Sequence, residues 1–169
     1  MPSSIAHGLT AAAIGVALLP QKAPRRVWIA GVLSATLLDI DAIGRPFQRG
    51  DIAWLGGHRA FTHSLVFAML LGITAAWTIS SRAETPRHRI RVALFLILAT
   101  AAHGILDAFT TYGAGIAFFS PFLHERYRAA WRPLANLKTE ITWIWLPALA
   151  LLAAMALWRR NRSQAAAAT

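Results

Sequence analysis

The sequence predicts an all-α membrane protein, a polytopic bundle of about five apolar helices with a polar site at one membrane face. Apolar residues make up 56% of the 169 residues and charged residues 14%, against about 25% charged in an ordinary soluble domain. The mean hydropathy is +0.47, so a soluble domain of this size would have too few charges to cover its surface. There are no cysteines, which excludes disulfides, thiolate metal sites and cysteine nucleophiles.

Five apolar stretches supply the predicted helices. A membrane-spanning helix needs about 20 residues, with a lower limit near 17. The fifth stretch is the clearest span, because its eighteen residues carry no charge and tryptophans lie near both of its ends. The first is short enough to form a re-entrant or tilted helix. In chain order the stretches are 5–19, 27–43, 60–79, 90–109 and 141–158.

The positive charge indicates how these helices are arranged. The net charge is +10, and the basic residues lie in short clusters without the interleaved aromatics of a nucleic-acid site. We therefore expect membrane lipids, and no nucleic acid, as partners. If the stretches alternate in direction, ten of the 17 Lys and Arg fall in short connections on one side, which the positive-inside rule places in the cytoplasm. The longer loops at 44–59 and 112–140 then lie on the periplasmic side of a cytoplasmic (inner) membrane.

We expect residues 1–162 to form a single membrane-embedded domain. The start of the chain is not predicted to be a signal peptide, because residues 1–4 carry no basic residue and His7 interrupts the apolar run. The alanine-rich residues 163–169 are expected to be a disordered tail.

Seven ionisable residues lie in or beside the apolar stretches. Such a residue costs about 2.5–3.5 kcal/mol inside a membrane span unless it is paired or hydrated. If the stretches alternate, all of them fall at the membrane level of the two long loops. We therefore expect these side chains to converge on one site. They are His7, Asp39, Asp41, His58, His63, His103 and Asp107.

The spacing of these residues indicates metal binding. His103 and Asp107 are four residues apart, so they share one face of a helix and can bind one divalent ion together. Asp39 and Asp41 are two apart and cannot both point inward from a regular helix, which favours a helix that unwinds at residues 44–46. Carboxylates at the C-terminal end of a helix face the negative end of its dipole and need a cation nearby.

Each residue taken singly also fits a structural role. His7 is a candidate for an interfacial, hydrogen-bonded histidine. Asp39 can pair with Arg45, and Asp41 with Arg59, to hold the loops. Taken together, histidines and aspartates without cysteine favour a metal site over these roles, with zinc, manganese or iron as the ion.

Three motifs are familiar as a set. They are Leu-Asp-Ile-Asp at 38–41, His-Arg-Ala-Phe-Thr-His-Ser-Leu at 58–65 and His-Gly-Ile-Leu-Asp-Ala-Phe-Thr-Thr-Tyr-Gly at 103–113, with shorter matches at 120–122 and 131–134. In these motifs the chain resembles the YdjM/YbcI-type membrane-bound metal-dependent hydrolases, from His7 to about Leu134. Leu38 departs from the family, which often has proline there, and this change affects loop shape more than ligands.

The resemblance implies a distant likeness to the zinc-dependent phospholipase C and P1 nuclease group. The ligand set that it implies is Asp39 or Asp41, His58 or His63, and His103 with Asp107, with His7 for a neighbouring ion. That group uses further downstream histidine and glutamate ligands, and only the adjacent His124 and Glu125 are available here. We therefore expect one or two ions, zinc first, with manganese or iron as alternatives.

The function expected on this interpretation is hydrolysis of a phosphoester, in a lipid or lipid-linked substrate, by a metal-activated water. Asp39 or Asp41 would act as general base or orient the water. Arg59, with Arg45 or Arg132, would hold the phosphate oxygens. The alternatives are a metal- or proton-handling transporter component, whose site should approach the membrane midplane, and a non-catalytic membrane protein with the same polar cluster.

Overall fold

The computed structural model describes residues 2–42, 57–80 and 84–167, and these residues form five helices joined by short segments and one long loop. The first four helices are α1 (Ser4–Leu18), α2 (Arg25–Thr36), α3 (Leu65–Ile79) and α4 (Pro86–Ala108). Helix α5 starts at Leu137–Glu140, passes through a π-helical turn at Ile141–Trp145 and continues as Leu146–Ala167. The predicted all-helical fold is confirmed.

Two short 3-10 segments lie where the sequence predicted continuous helix. Leu38–Ala42 follows α2, and Phe61–His63 precedes α3. The α-helical part of the second stretch therefore ends at Thr36, before the aspartates. Most of the predicted loop at 44–59, including Arg45, lies outside the described residues.

Side-chain caps explain where most of the helices begin. The side chains of Ser3, Ser64 and Thr85 each accept a hydrogen bond from a backbone N–H in the first turn of α1, α3 and α4. Pro86 occupies the first turn of α4, where no N–H is needed. Asn136 forms a capping box at the start of α5.

Helix α4 lies at the centre of the bundle and packs against α1, α2 and α3, while α5 packs against α1. Phe95 of α4 is fully buried and forms a core with Trp28. Glycines let α1 and α2 approach this ring, because a Cβ on Gly31 would lie 2.1 Å from Phe95 Cζ and a Cβ on Gly15 would lie 3.0 Å from Phe95 Cε2. This close packing brings the ends of α1, α2 and α4 to one level.

The exposed surface of the bundle is unusually apolar. Large side chains such as Leu33, Leu70, Trp77 and Leu149 are about half exposed or more. Within the described ranges, two helices, α4 and α5, are long and apolar enough to cross a membrane. Only 11% of the apolar window of α5 is buried inside the bundle. Helices α1 and α3 are shorter, with 15 residues each. The predicted crossing by all five stretches therefore stays a prediction.

The last helix extends into the segment expected to be a tail, and the expected domain bounds stay a prediction. Helix α5 continues past Ser163 to Ala167. The run of alanines explains this, because alanine has the highest intrinsic helix propensity.

Candidate metal centre

The seven ionisable residues of the apolar stretches come together, as the sequence predicted. Each lies near a helix end or in a short segment beside one: His7 in α1, Asp39 and Asp41 after α2, His58 and His63 before α3, and His103 and Asp107 in α4. The side chain of Asp39 is 28% exposed, whereas those of the other six are at most 4% exposed. The cluster is therefore most open at Asp39.

Four of these side chains form an inner group that we call the tetrad: Asp39, His63, His103 and Asp107. Each offers one nitrogen or oxygen atom, and all four atoms lie within 4.8 Å of one another. Asp39 Oδ1 is 3.4 Å from the Nε2 atoms of both His63 and His103, and His63 Nε2 is 3.9 Å from Asp107 Oδ2. Ligands 2.0–2.1 Å from a tetrahedral zinc ion are separated by about 3.3 Å. The tetrad thus has nearly the spacing of a ligand set.

The two imidazoles of the tetrad are oriented by hydrogen bonds at their other nitrogen. His103 Nδ1 lies 2.7 Å from the carbonyl oxygen of Ala35, which can only accept, so Nδ1 carries a proton. In the neutral ring, Nε2 then turns a lone pair toward Asp39 Oδ1. Two acceptors facing each other at 3.4 Å need a cation or another proton between them. A histidine held in this way is the usual arrangement of a metal ligand.

His63 is held in the same manner by its neighbours. Its Nδ1 lies 3.0 Å from Thr62 Oγ1 and 3.4 Å from Asp41 Oδ2, while its Nε2 faces the tetrad. Thr62 Oγ1 itself donates to Asp41 Oδ2 at 2.5 Å. Asp41 therefore contacts His63 from outside the tetrad and fixes the orientation of its ring.

Asp41 has a full set of donors. His58 Nδ1 lies 2.6 Å from its Oδ1, and the backbone N–H of Arg59 donates weakly to its Oδ2 at 3.4 Å. Of the two aspartates that the sequence left as alternatives, Asp39 belongs to the tetrad. Asp41, with His58 and His63, forms a second group whose ligand atoms lie within 4.8 Å of one another. The role of either in metal binding stays a prediction.

Asp107 lacks such donors. Among the described residues, neither of its carboxylate oxygens has a hydrogen-bond partner. Arg59 Nε lies 3.0 Å from Oδ2 without hydrogen-bond geometry, and His7 Nε2 lies 3.9 Å from Oδ1. The ring of His7 stacks on His103 at 3.8 Å, and neither of its nitrogens finds a partner in the described chain. Asp107 and His7 thus keep free lone pairs inside the protein.

Arg59, the arginine expected to bind phosphate, lies inside the protein, and that role stays a prediction. Its side chain is buried, and Nη1 donates to the carbonyl oxygen of Tyr112 at 3.0 Å. The backbone of Arg59 is left-handed, with φ +65°, and the guanidinium contacts Asp107 instead of the expected partner Asp41. Its position neutralises the buried carboxylate of Asp107.

The remaining candidates lie elsewhere. His124, Glu125 and Arg132 are exposed in the loop before α5. Two residues of the cluster were not predicted from the sequence. The first is Ala35, because any residue could supply its carbonyl oxygen. The second is Gly104, where a Cβ would lie 2.7 Å from the carbonyl oxygen of His63. A glycine directly after a candidate ligand histidine could have indicated that close approach.

Comparison with known proteins places the chain in a family. No solved structure matches, so the distant likeness to the phospholipase C and P1 nuclease group stays a prediction. Inner membrane protein YbcI of Escherichia coli (strain K12) is 33% identical over 179 residues, which cover 95% of this chain and 100% of YbcI. The family described as YdjM inner membrane protein matches residues 1–169. The chain therefore belongs to the YdjM family of inner membrane proteins.

Proposed function

We propose that this protein is a metal-dependent hydrolase that cleaves a phosphoester in a lipid or lipid-linked substrate. The observation that carries the proposal is the tetrad, in which two imidazole nitrogens and two carboxylates face one another at ligand spacing inside the protein. Arg59 offsets one of the two carboxylates, but buried atoms of Asp107 and His63 still lack hydrogen-bond partners among the described residues. Leaving such groups unsatisfied costs on the order of 1–3 kcal/mol each.

The donor set fits a divalent transition metal. Two neutral nitrogens and two carboxylates offset the charge of the ion, and nitrogen with oxygen ligands suits zinc, manganese or iron. Asp39, His63, His103 and Asp107 would hold one ion, and His7 would serve a neighbouring one. When bound, such an ion supplies Lewis acidity and lowers the pKa of a water from 15.7 to about 7.

The surrounding residues have distinct roles under this proposal. Asp41 keeps His63 and His58 in fixed orientations through contacts of both its oxygens. Asp39 lies at the most open point of the cluster, where a substrate would enter. Arg59 offsets the charge of Asp107 from within the protein.

The depth of the cluster favours a lipid substrate over a transported ion. His7 is the fourth residue of α1, and Asp107 is the last but one of α4. The site thus lies at the end of these helices, at the level where a lipid would present its phosphate. A transport site is expected near the membrane midplane, about half-way along a spanning helix. We propose zinc as the first candidate ion, and the periplasmic side as the side of the site.

The test is the metal content of the detergent-purified protein after dialysis against metal-free buffer, followed by hydrolysis assays on two kinds of vesicle. Phospholipid vesicles are assayed for diacylglycerol or phosphatidic acid, and polyprenyl phosphate vesicles for inorganic phosphate. We expect one or two equivalents of zinc, manganese or iron, and hydrolysis that chelation abolishes. Asp107→Asn should lose both, because it removes an anionic ligand and keeps the shape of the side chain.

The matched control is His124→Gln, which changes an exposed histidine outside the cluster and should keep metal and activity. Full activity and full metal content in Asp107→Asn would contradict the assignment. Absence of metal from the wild-type protein, both as purified and after reconstitution, would favour a proton-handling or structural role for the same residues.

A further inference from the structure

An apolar groove of about 320 Å³ lies between α2 and α3. Leu33 of α2 and Leu37, which follows the helix, form one wall. Phe67 and Leu71 of α3 form the other, and Leu96 of α4 also lines the groove. The volume is at the lower end of the range of about 300–1,000 Å³ that is typical of small-molecule sites. It suits one slender ligand better than a bulky one.

The groove reaches the 3-10 segment that carries Asp39. Leu38 and Ile40, which flank Asp39 in that segment, both line the groove, although Asp39 itself does not. Thr62, whose hydroxyl donates to Asp41, lines it as well. Asp39 is the one tetrad residue with an appreciably exposed side chain. The groove therefore lies beside the segment that carries the most accessible residue of the tetrad.

The chemistry of the groove selects hydrocarbon. Its two hydroxyl-bearing residues, Ser34 and Thr62, already donate to the Gly31 carbonyl and to Asp41. No other described residue that lines the groove has a polar side chain. An occupant would thus bury apolar surface and find no unused side-chain donor.

The mouth of the groove faces the lipid side of the bundle. Leu33, Leu37 and Ile40 are 47%, 54% and 60% exposed, as expected for side chains in contact with membrane hydrocarbon in an inner membrane protein. A ligand can therefore enter sideways from the membrane without crossing water.

From this geometry we infer that the groove between α2 and α3 binds one hydrocarbon chain of a membrane lipid and presents the phosphate of that lipid to the tetrad at Asp39. The inference rests on the proposed function, because it gives the substrate of that site a tail and a direction of entry. Under this inference, Leu71 and Phe67 select for the hydrocarbon chain of the lipid and take no part in hydrolysis.

The experiment is photolabelling of the wild-type protein in vesicles of phosphatidylethanolamine and phosphatidylglycerol that contain phosphatidylglycerol with a diazirine on one acyl chain. Peptide mapping should place the label in α2, the segment Leu38–Ala42 and the first half of α3, several-fold above the lipid-exposed face of α5. Leu71→Trp fills the groove and should reduce this labelling several-fold.

The matched control is Leu70→Trp, the same change at the neighbouring position, which is 56% exposed and does not line the groove. Equal labelling of α5 and the groove, or equal loss in both variants, would show general contact with membrane lipid only and would overturn the inference. If Leu71→Trp does not fold, Ala75→Leu, a smaller change in the same groove, takes its place.

The two proposals can fail separately. Photolabelling needs neither metal nor hydrolysis, so groove labelling in a protein that binds no metal would defeat the proposed hydrolase and leave the lipid site. Metal-dependent hydrolysis without groove labelling would defeat the lipid site and leave the hydrolase.

Discussion

Helix α4 passes through two layers that bury opposite kinds of side chain. Near its middle, Phe95 fills an apolar layer against Gly31 and Trp28. Near its C-terminal end, His103 and Asp107 lie in a polar layer in which buried nitrogens and oxygens lack hydrogen-bond partners among the described residues. Burial stabilises the first layer through apolar contact, whereas it destabilises the second unless a ligand satisfies it.

One layer of helix α4 therefore stabilises the fold, and the other holds the groups that can bind a ligand. The apolar layer fixes the relative positions of α1, α2 and α4, and the polar layer uses that fixed geometry to hold its acceptors close together. A change in the polar layer should therefore alter metal binding most, and a change in the apolar layer should alter folding most. Four predictions test this division, in order of their expected effect on metal binding.

The largest effect is expected from the metal itself. Zinc binding to the folded state should stabilise the protein by about 4 kcal/mol when free zinc is 1,000 times the dissociation constant, because the ion satisfies the tetrad. Thermal unfolding in detergent should therefore shift upward with zinc and downward with chelator. His103→Gln removes a tetrad nitrogen and should abolish the shift.

The control for this measurement is again His124→Gln, which should show the wild-type shift. A shift of wild-type size in His103→Gln would place the stabilising ion elsewhere on the protein. It would contradict the assignment of metal binding to the polar layer.

Asp41→Asn should have the next largest effect. The amide would turn an N–H₂ group toward either His58 or Thr62, both of which donate to the carboxylate. His63 would lose a fixed orientation, and changes of this kind outside the ligand set cost about 10–100-fold in metal affinity. A competition titration with a chromogenic zinc chelator measures the change.

Glu125→Gln offers the matched control, because it makes the same chemical change on an exposed carboxylate outside the cluster. Unchanged affinity in Asp41→Asn would show that His63 is held by packing alone.

The sequence located the polar layer well because its residues are out of place in apolar stretches. The spacing of His103 and Asp107 predicted a shared helix face, and both do lie in one cluster. The fold class followed in the same way from the apolar stretches, since hydropathy marks the helices directly.

The sequence could not predict the partners within the cluster. Asp39 and Asp41 take different roles because they lie on a 3-10 segment, and nothing in the local residues distinguished it from the end of an α-helix. Arg59 contacts Asp107 because its backbone is left-handed, a conformation that is uncommon for residues other than glycine. Such roles depend on three-dimensional contacts that spacing along the chain does not encode.

Gly104→Ala tests the close contact between α4 and the backbone of the segment that carries His63. The new Cβ would lie 2.7 Å from the carbonyl oxygen of His63, so this backbone has to move away from His103. We expect metal affinity to fall about tenfold, which corresponds to about 1.4 kcal/mol, in the same competition titration.

Gly8→Ala is the control, because its Cβ would make only ordinary contacts at 3.7 Å with Thr36 and Val32. It should keep the affinity and leave stability equal or higher, since alanine favours helix over glycine by about 1 kcal/mol. Equal affinity in both variants would mean that the tetrad tolerates a shift of His63.

The smallest effect on metal binding is expected for Gly31→Ala, although it should destabilise the fold. Its Cβ would lie 2.1 Å from Cζ and 2.3 Å from Cε1 of Phe95, a ring with no exposed surface into which to retreat. Overpacking of this kind costs about 1–3 kcal/mol, so the thermal midpoint should fall, and Phe95→Leu in the same chain should restore part of it. Phe95 and His103 are eight residues apart on α4, about 12 Å at 1.5 Å per residue, and sites farther apart than about 7–10 Å act almost independently. Gly31 itself is one helical turn from Ala35, whose carbonyl oxygen accepts from His103, so a small disturbance can reach the tetrad by this route and lower zinc affinity. Zinc affinity should therefore fall by less than in Gly104→Ala, whereas an equal loss would show that the apolar layer also sets the spacing of the tetrad.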